Sequence, residues 1–235
     1  KICLFDSKKK LVKRKIFITS NLKNLNSIHN LKFLNINSKK IDKVIFSSVV
    51  PEVFKNIKKY LKKKLNLEAK ELKQFNLRKK LKIDVNKKQV GSDRLANAIS
   101  VINNKDNFII LDFGTATTFD VVLKNRYKGG IIAPGVNLSL KTLVEKAKLI
   151  PNIKLSKIKN IIGKNTQNAV KSGFYWGYQG LIKNLINLIE KKNKKKFKII
   201  FTGGLSHLYK NTIKKKIKVD KDLTIKGLLK LVVTE

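Results

Sequence analysis

The order of the predicted elements indicates an α/β fold made of two related halves. A cluster of strands followed by alternating helices and strands occurs twice, from residue 2 and again from residue 108. The second round opens with a strand, a glycine turn and two more strands, whereas the first opens with two strands only. The chain has 235 residues, of which 42% are hydrophobic, so it is long enough to bury a substantial core. We therefore expect two domains, residues 1–103 and 104–235.

The first half combines short apolar runs with amphipathic helices. Strands are predicted at residues 2–5, 11–19 and 43–50. Helices are predicted at residues 27–36, 51–65 and 91–102. The 51–65 helix has the clearest signals, because Pro51 is tolerated in a first turn and apolar residues recur with helical spacing.

The second half begins with a group of three strands and ends in helices. Strands are predicted at residues 108–112, 119–123, 127–132 and 198–202. Helices are predicted at residues 135–148, 165–190 and 223–232. If the halves are duplicates, a strand and a glycine turn would be expected before Lys1.

The strong positive charge has a compositional explanation. The chain carries 54 Lys and Arg against 15 Asp and Glu, a formal charge of +39. Only four of the 54 are Arg, which leaves 50 Lys spread along the chain. Arginine is the residue preferred for bidentate phosphate and base contacts, so this pattern does not predict a specific nucleic-acid partner. Lys, Asn and Ile are all read from A/T-rich codons, and codon bias accounts for their joint abundance.

Other counts limit the location and the start of the chain. The single cysteine, Cys3, excludes an intrachain disulfide and agrees with a reducing compartment. No apolar run approaches the length of a membrane span, and no signal peptide pattern is present. We expect a cytoplasmic protein without a membrane partner. Since the sequence contains no Met, we also expect that Lys1 is not the native first residue.

The most distinctive motif is Asp112-Phe113-Gly114-Thr115-Ala116-Thr117-Thr118. A strand ends in an acid, a glycine permits a tight turn, and three hydroxyl side chains follow. Such a turn presents backbone N–H groups and hydroxyls to a phosphate, while the acid can hold a cation. The alternative is an ordinary hairpin with threonine on an edge strand.

A second motif, Gly91-Ser92-Asp93-Arg94, lies where a helix begins. A carboxylate there keeps its charge and can accept a proton from a substrate hydroxyl, and Arg94 could bind an anion. The alternative is a helix cap.

Three weaker glycine motifs follow. Thr202-Gly203-Gly204 ends a strand and is either a turn or a nucleotide contact, and residues 129–135 frame a strand with glycines. In Gly163-Lys164-Asn165-Thr166, the last residue either caps the long helix or faces a substrate.

Taken in order, these motifs resemble the type III pantothenate kinases. The segments that carry the resemblance are GSDRLAN, DFGTATTFDVV, YKGGIIAPGV, IGKNTQNAVKSG, FTGG and DKDLTIKGL, which extend from Gly91 to Leu228. The resemblance implies the actin-like ATPase fold of acetate and sugar kinases, Hsp70 and actin, with two duplicated βββαβα halves and an interdomain cleft. It also implies ATP-dependent phosphorylation of pantothenate, the first step of coenzyme A synthesis.

The resemblance further implies roles for particular residues. The proton acceptor would be Asp93, and Asp112 would bind a monovalent cation, K⁺ or NH₄⁺. Thr115 would contact ATP. The residues implied in binding pantothenate are Gly91, Ser92, Asp93, Arg94 and Thr166. The family also uses Mg²⁺ and works as a homodimer.

Two departures from the family pattern leave alternatives open. The D-x-G-N-T phosphate loop that opens family members is absent, and a Tyr and a Pro often found before G-x-D-R are replaced within residues 82–88. A Bvg accessory factor-like transcription regulator of the same fold is one alternative. A different kinase of the same superfamily is a second, and an inactive truncated relative is a third.

Overall fold

The computed structural model describes residues 1–16, 41–48, 50–211 and 213–232. The helix predicted at residues 27–36 and the end of the predicted strand 11–19 lie outside the described residues. Chain contacts divide the molecule into two compact units. Unit 1 comprises residues 1–82, 86–101 and 223–235, and unit 2 comprises residues 83–85 and 102–222.

The described residues form ten strands and five α-helices. The strands are β1 (Ile2–Phe5), β2 (Leu11–Lys15), β3 (Val44–Phe46), β4 (Ala69–Glu71), β5 (Lys82–Ile83), β6 (Asn107–Phe113), β7 (Ala116–Leu123), β8 (Arg126–Pro134), β9 (Lys198–Gly203) and β10 (Ile217–Val219). The helices are α1 (Pro51–Leu65), α2 (Ser92–Val101), α3 (Val136–Lys146), α4 (Thr166–Asn193) and α5 (Leu223–Val232).

The described residues of unit 1 form two small sheets and three α-helices. Strands β1 and β2 pair antiparallel, and β3 pairs parallel with β4. Helix α1 buries Val53, Ile57 and Leu61, three residues at helical spacing, in a cluster with Ala69 of β4. Helices α2 and α5 pack closely, because a Cβ atom at Gly227 would overlap the main-chain carbonyl of Ala96. The packing of α5 against α2 therefore supports the helix that begins with the GSDR motif.

Unit 2 is built on one six-stranded sheet with the order β10-β9-β6-β7-β8-β5. Strands β6, β7 and β8 form an antiparallel meander, and β6, β9 and β10 run parallel. One face of the sheet packs on α4, where Tyr175, Ile182 and Ile186 join a buried cluster with Leu111 and Phe201. The carboxyl ends of β6, β9 and β10 therefore lie at one edge, where ligands of open α/β sheets bind.

The helices and long strands predicted within the described residues are confirmed, with ends that shift by a few residues. The strand predicted at residues 43–50 is shorter, Val44–Phe46. The two- and three-residue strands β4, β5 and β10 were not predicted. Helix α5, which the sequence division assigned to the second half, belongs to unit 1 through its contacts with α2. Among the described residues, no helix has both the length and the apolarity to cross a membrane.

Candidate active site

Asp112 lies one residue before the end of β6, in the middle of the sheet of unit 2. Its registered partners are Thr118 on β7 and Thr202 on β9. Its side chain is half-buried. Gly203, at the end of β9, has φ +84°, and a Cβ atom there would lie 2.6 Å from the Asp112 Oδ1 atom. The close approach of β9 therefore requires a glycine and confines the carboxylate from that side.

The turn after Asp112 presents Thr115 to solvent. The Gly114 amide donates to the Ala116 carbonyl at 3.1 Å, which closes the turn between β6 and β7. Gly135, the N-cap of α3, lies so close to the Thr115 backbone that any Cβ atom would overlap it. The turn is thereby placed against the N-terminus of an eleven-residue helix. Backbone N–H groups of a glycine turn beside a helix N-terminus favour a bound phosphate.

The second glycine turn follows β9 and is tied to the same edge of the sheet. The Gly204 amide donates to the Phe113 carbonyl at 3.2 Å. The Phe113 ring packs edge-on against Phe201, with ring centroids 5.2 Å apart, and stacks on Tyr209 at 5.4 Å. An aromatic cluster therefore fixes the position of the backbone that carries Asp112 and both glycine turns.

The GSDR motif forms the first turn of α2 in unit 1. Ser92 is buried, and Asp93 and Arg94 are half-buried. The Arg94 amide donates to Asp93 Oδ1 at 2.8 Å, and the Leu95 amide donates to the Gly91 carbonyl at 3.2 Å. The carboxylate of Asp93 is thus held in the first turn of α2, with one of its oxygens bound to the main chain.

Thr166 is exposed as the first residue of α4, and it is not the cap of that helix. The cap is Asn165, whose side chain accepts a hydrogen bond from the Asn168 amide at 2.9 Å. The capping alternative for Thr166 is therefore wrong, and its hydroxyl faces solvent. Gly163 lies so close to the Ala169 backbone that a Cβ atom would overlap it, which brings the preceding loop against the helix start.

The predicted site residues fall into three groups. Asp112 and Thr115 lie together at the carboxyl edge of the sheet in unit 2, beside Gly203. Gly91, Ser92, Asp93 and Arg94 are consecutive in unit 1, and Thr166 lies at the start of α4 in unit 2.

Sequence reasoning missed a charged cluster in unit 2, formed by Asp84 with two basic residues of β8. Asp84 accepts hydrogen bonds from Lys128 Nζ at 2.6 Å and from Arg126 Nη2 at 3.0 Å. The lysine bond, followed by the arginine, holds the pKa of Asp84 below its usual range. The Asp84 amide also donates to the Tyr127 carbonyl at 3.0 Å, so residues 83–85 are fixed to β8. The sequence signal that could have indicated this cluster is Asp84 itself, an acidic residue within a Lys-rich stretch.

A second missed pair lies inside the sheet. Asp120 and Tyr127 are both fully buried, and the tyrosine hydroxyl donates to Asp120 Oδ1 at 2.6 Å. A buried carboxylate needs such donors, so the pair stabilises the β7–β8 hairpin. The neighbours of Asp120 in the sequence are apolar, so the sequence did not indicate a hydrogen-bond partner for it.

The donor set at Asp112 fits a cation of single charge. It offers one carboxylate with hydroxyl side chains on both neighbouring strands. The described residues contain no group of three His, Cys, Asp or Glu side chains able to hold a metal ion. Mg²⁺ in kinases binds through one or two carboxylates together with substrate phosphates and water, so it fits as an ion that enters with the nucleotide.

The mixed sheet, the two-unit organisation and the glycine turns at the sheet edge define a protein of the actin-like ATPase fold. A Baf family transcriptional activator from Campylobacter jejuni has this fold, with TM-score 0.58 and 23% identity over 87% of both chains. The inorganic polyphosphate/ATP-glucomannokinase from Arthrobacter matches with TM-score 0.50 and 12% identity, over 99% of this chain and 94% of that one. At these identities the likeness shows the fold alone.

The chain belongs to the type III pantothenate kinase family. The family's sequence model matches residues 1–188. The type III pantothenate kinase of Pelagibacter ubique is 56% identical over 230 residues, which cover 98% of this chain and 93% of that protein. The type III pantothenate kinase of a Sulfurihydrogenibium species is 41% identical over 84% of this chain and 79% of its own. The resemblance found in the motifs is thereby confirmed.

Proposed function

We propose that this pantothenate kinase transfers the γ-phosphoryl group of ATP to the primary hydroxyl of pantothenate with Asp93 as the proton acceptor. Membership of the family supports this reaction, which is the first step of coenzyme A synthesis. The observation that supports the base is the placement of Asp93 in the first turn of α2, where its Oδ1 atom is held by the Arg94 amide. With Oδ1 engaged, Oδ2 would accept the hydroxyl proton.

Phosphoryl transfer depends mainly on positioning and on neutralising the charge of the phosphates. Thr115 and the turn around Gly114 would bind the phosphates, since they lie beside the N-terminus of α3. Asp112 would hold a monovalent cation, K⁺ or NH₄⁺, which offsets phosphate charge when it is bound. Mg²⁺ would enter with ATP.

Pantothenate carries a carboxylate, so its site needs a cation and hydrogen-bond partners. Arg94 supplies a guanidinium next to the base, and Gly91 and Ser92 precede it in the same turn. Thr166 contributes an exposed hydroxyl at the start of α4. We assign these four residues, with Asp93, to pantothenate binding.

The base assignment is tested by pantothenate-dependent ADP release with ATP, Mg²⁺ and K⁺. Asp93→Asn keeps the shape of the side chain but lowers its basicity, and we expect turnover to fall by about 10²–10⁴-fold. Asp106→Asn is the matched control, because Asp106 is an acid at the opposite end of β6, bound to Lys198 at 2.5 Å. Near-normal turnover of Asp93→Asn, with an intact fold by circular dichroism, would refute the assignment.

The same assay addresses the expected phosphate loop. It is run on this chain and on a version extended at its N-terminus by a strand and a D-x-G-N-T loop. Activity in the extended version alone would support both the kinase chemistry and a need for that loop. No ADP release by either version, with both folded, would favour the alternative that the protein is an inactive relative.

The predicted homodimer is supported by an uncharged face on α4. Ala169, Gly173, Trp176, Gly177 and Gly180 are all exposed at helical spacing. No heavy atom lies within 4 Å of a Cβ atom built on any of the three glycines, so a second helix could approach closely. In a chain of net charge +39, two copies meet with least repulsion at such a face.

The neighbouring loop extends the same apolar surface. Ile161 and Ile162 are 68% and 80% exposed, and the Ser172 hydroxyl of α4 donates to the Ile161 carbonyl. We propose that this surface forms a two-fold symmetric contact with a second copy of the chain. Gly177→Lys places a charge on this face and should shift the protein to monomer in sedimentation velocity. Asn187→Lys, two to three turns further along α4 and exposed, is the control, and equal behaviour of both variants would refute the contact.

The cellular location, and the partners other than the substrates, remain predictions from the sequence. The single cysteine, Cys3, supports a reducing compartment such as the cytoplasm. The scarcity of arginine supports the absence of a specific nucleic-acid partner.

A further inference from the structure

Three oxygen-bearing side chains lie in a row across the middle of the sheet in unit 2. Asp112 on β6 is the registered partner of Thr118 on β7 and of Thr202 on β9. Residues in register on neighbouring strands present their side chains on the same face, with Cβ atoms about 5 Å apart. The carboxylate therefore has a threonine on each side.

The hydroxyl of Thr118 is the unexplained member of this row. Its Oγ1 atom is shielded from solvent and has no hydrogen-bond partner among the described residues. A hydroxyl in that position loses its water without gaining a partner, which is unfavourable, and most such groups in proteins are satisfied. A ligand at Asp112 would supply the missing contact.

The neighbouring residue Thr117 serves as an internal comparison for Thr118. The Thr117 hydroxyl is also buried without a hydrogen-bond partner among the described residues. Because side chains alternate along a strand, Thr117 faces the opposite side of the sheet, in register with Phe113 and Ala133. Thr118 alone of the two is beside the carboxylate.

We propose that Thr118 is a further ligand of the monovalent cation at Asp112, with Thr202 on the other side of the carboxylate. The proposal rests on the proposed function, which assigns the cation to Asp112. One negative charge flanked by two neutral hydroxyl side chains matches a single positive charge, whereas divalent ions are held by sites with more charged ligands. Gly203 confines the carboxylate from the β9 side, because a Cβ atom there would lie 2.6 Å from Asp112 Oδ1.

The test measures binding of K⁺ itself, apart from turnover. The thermal unfolding midpoint of the full chain is followed against KCl, with tetramethylammonium chloride added to keep the ionic strength constant. A cation that binds the folded state raises this midpoint. We expect Thr118→Val to raise the half-stabilising K⁺ concentration about tenfold or more, the scale for loss of a supporting metal contact. Thr118→Ser keeps the hydroxyl and should stay near the wild type.

Two further variants decide between the outcomes. Thr117→Val should leave the K⁺ response unchanged, and Asp112→Asn should abolish it. A normal response of Thr118→Val together with its loss in Asp112→Asn would overturn the role of Thr118 and leave the cation at Asp112 standing. An unchanged response in Asp112→Asn, or no response of the wild type, would overturn the cation assignment as well. Equal losses in Thr117→Val and Thr118→Val would also overturn the proposal.

Discussion

Replacing Gly203 with alanine tests whether the close approach of β9 to β6 shapes the candidate site. Gly203 has φ +84°, in the left-handed region that disfavours a side chain. A Cβ atom there would also lie 2.6 Å from Asp112 Oδ1 and 2.6 Å from both the amide nitrogen and the carbonyl oxygen of Phe113. Two of these three atoms belong to the backbone of the central strand, so side-chain rotation does not relieve the overlap.

The magnitude follows from these two effects. The left-handed conformation costs a residue with a Cβ atom about 1–2 kcal/mol. Forcing extra atoms into a packed region costs about 1–3 kcal/mol more. We therefore expect Gly203→Ala to lower the free energy of unfolding by about 2–5 kcal/mol, a large part of the roughly 5–15 kcal/mol available to a folded domain.

The assay is urea denaturation followed by tryptophan fluorescence. Trp176, the one tryptophan of the chain, lies on α4 of unit 2, so its signal reports the unit that contains Gly203. Gly204→Ala is the matched control, because no heavy atom lies within 4 Å of a Cβ atom built there. We expect it to change stability by less than about 1 kcal/mol. Equal unfolding midpoints for the two variants would refute the reasoning.

Three other substitutions test contacts seen only in the tertiary structure. Asp84→Asn should destabilise the protein at pH 7. Because the pKa of Asp84 is lowered in the folded state, its contribution to stability is fully present above its usual pKa of 3.8 and disappears as the pH falls through the folded-state pKa. The urea midpoints of the wild type and the variant should therefore converge in acid. Tyr127→Phe removes a buried donor to Asp120 and should cost about 1–3 kcal/mol in the same assay, and no loss would contradict the pairing. Gly227→Ala pushes α5 away from Ala96 and should cost about 1–3 kcal/mol by circular dichroism, whereas unchanged stability would show that the two helices separate freely.

The long elements were predictable because their signals are local. The helical spacing in α1 and the alternation of glycine turns with apolar strands from β6 to β8 can be read without any partner. The GSDR and DFGT motifs could be assigned for the same reason, since each is one continuous run of residues. The helix cap at α4 was harder to locate, because Asn165 and Thr166 are adjacent and both are suited to capping.

The short strands were not predictable, because two or three residues carry no periodic pattern. β5 is a strand only because residues 83–85 are held on β8 by Asp84 and the Tyr127 carbonyl. β10 likewise depends on its parallel pairing with β9. Pairing between strands distant in sequence is a tertiary property, and propensity alone does not specify it.

The sequence by itself determined the fold class, the order of the long elements and the segments predicted to bear the chemistry, since these depend on local patterns and on contiguous motifs. Only the tertiary structure decided that Thr118 and Thr202 flank Asp112, that Gly203 confines its carboxylate, and that α5 packs on α2. Strand register and helix contacts join residues that are distant in sequence, such as Ala96 and Gly227. An error of one residue in register would turn Thr118 to the other face of the sheet.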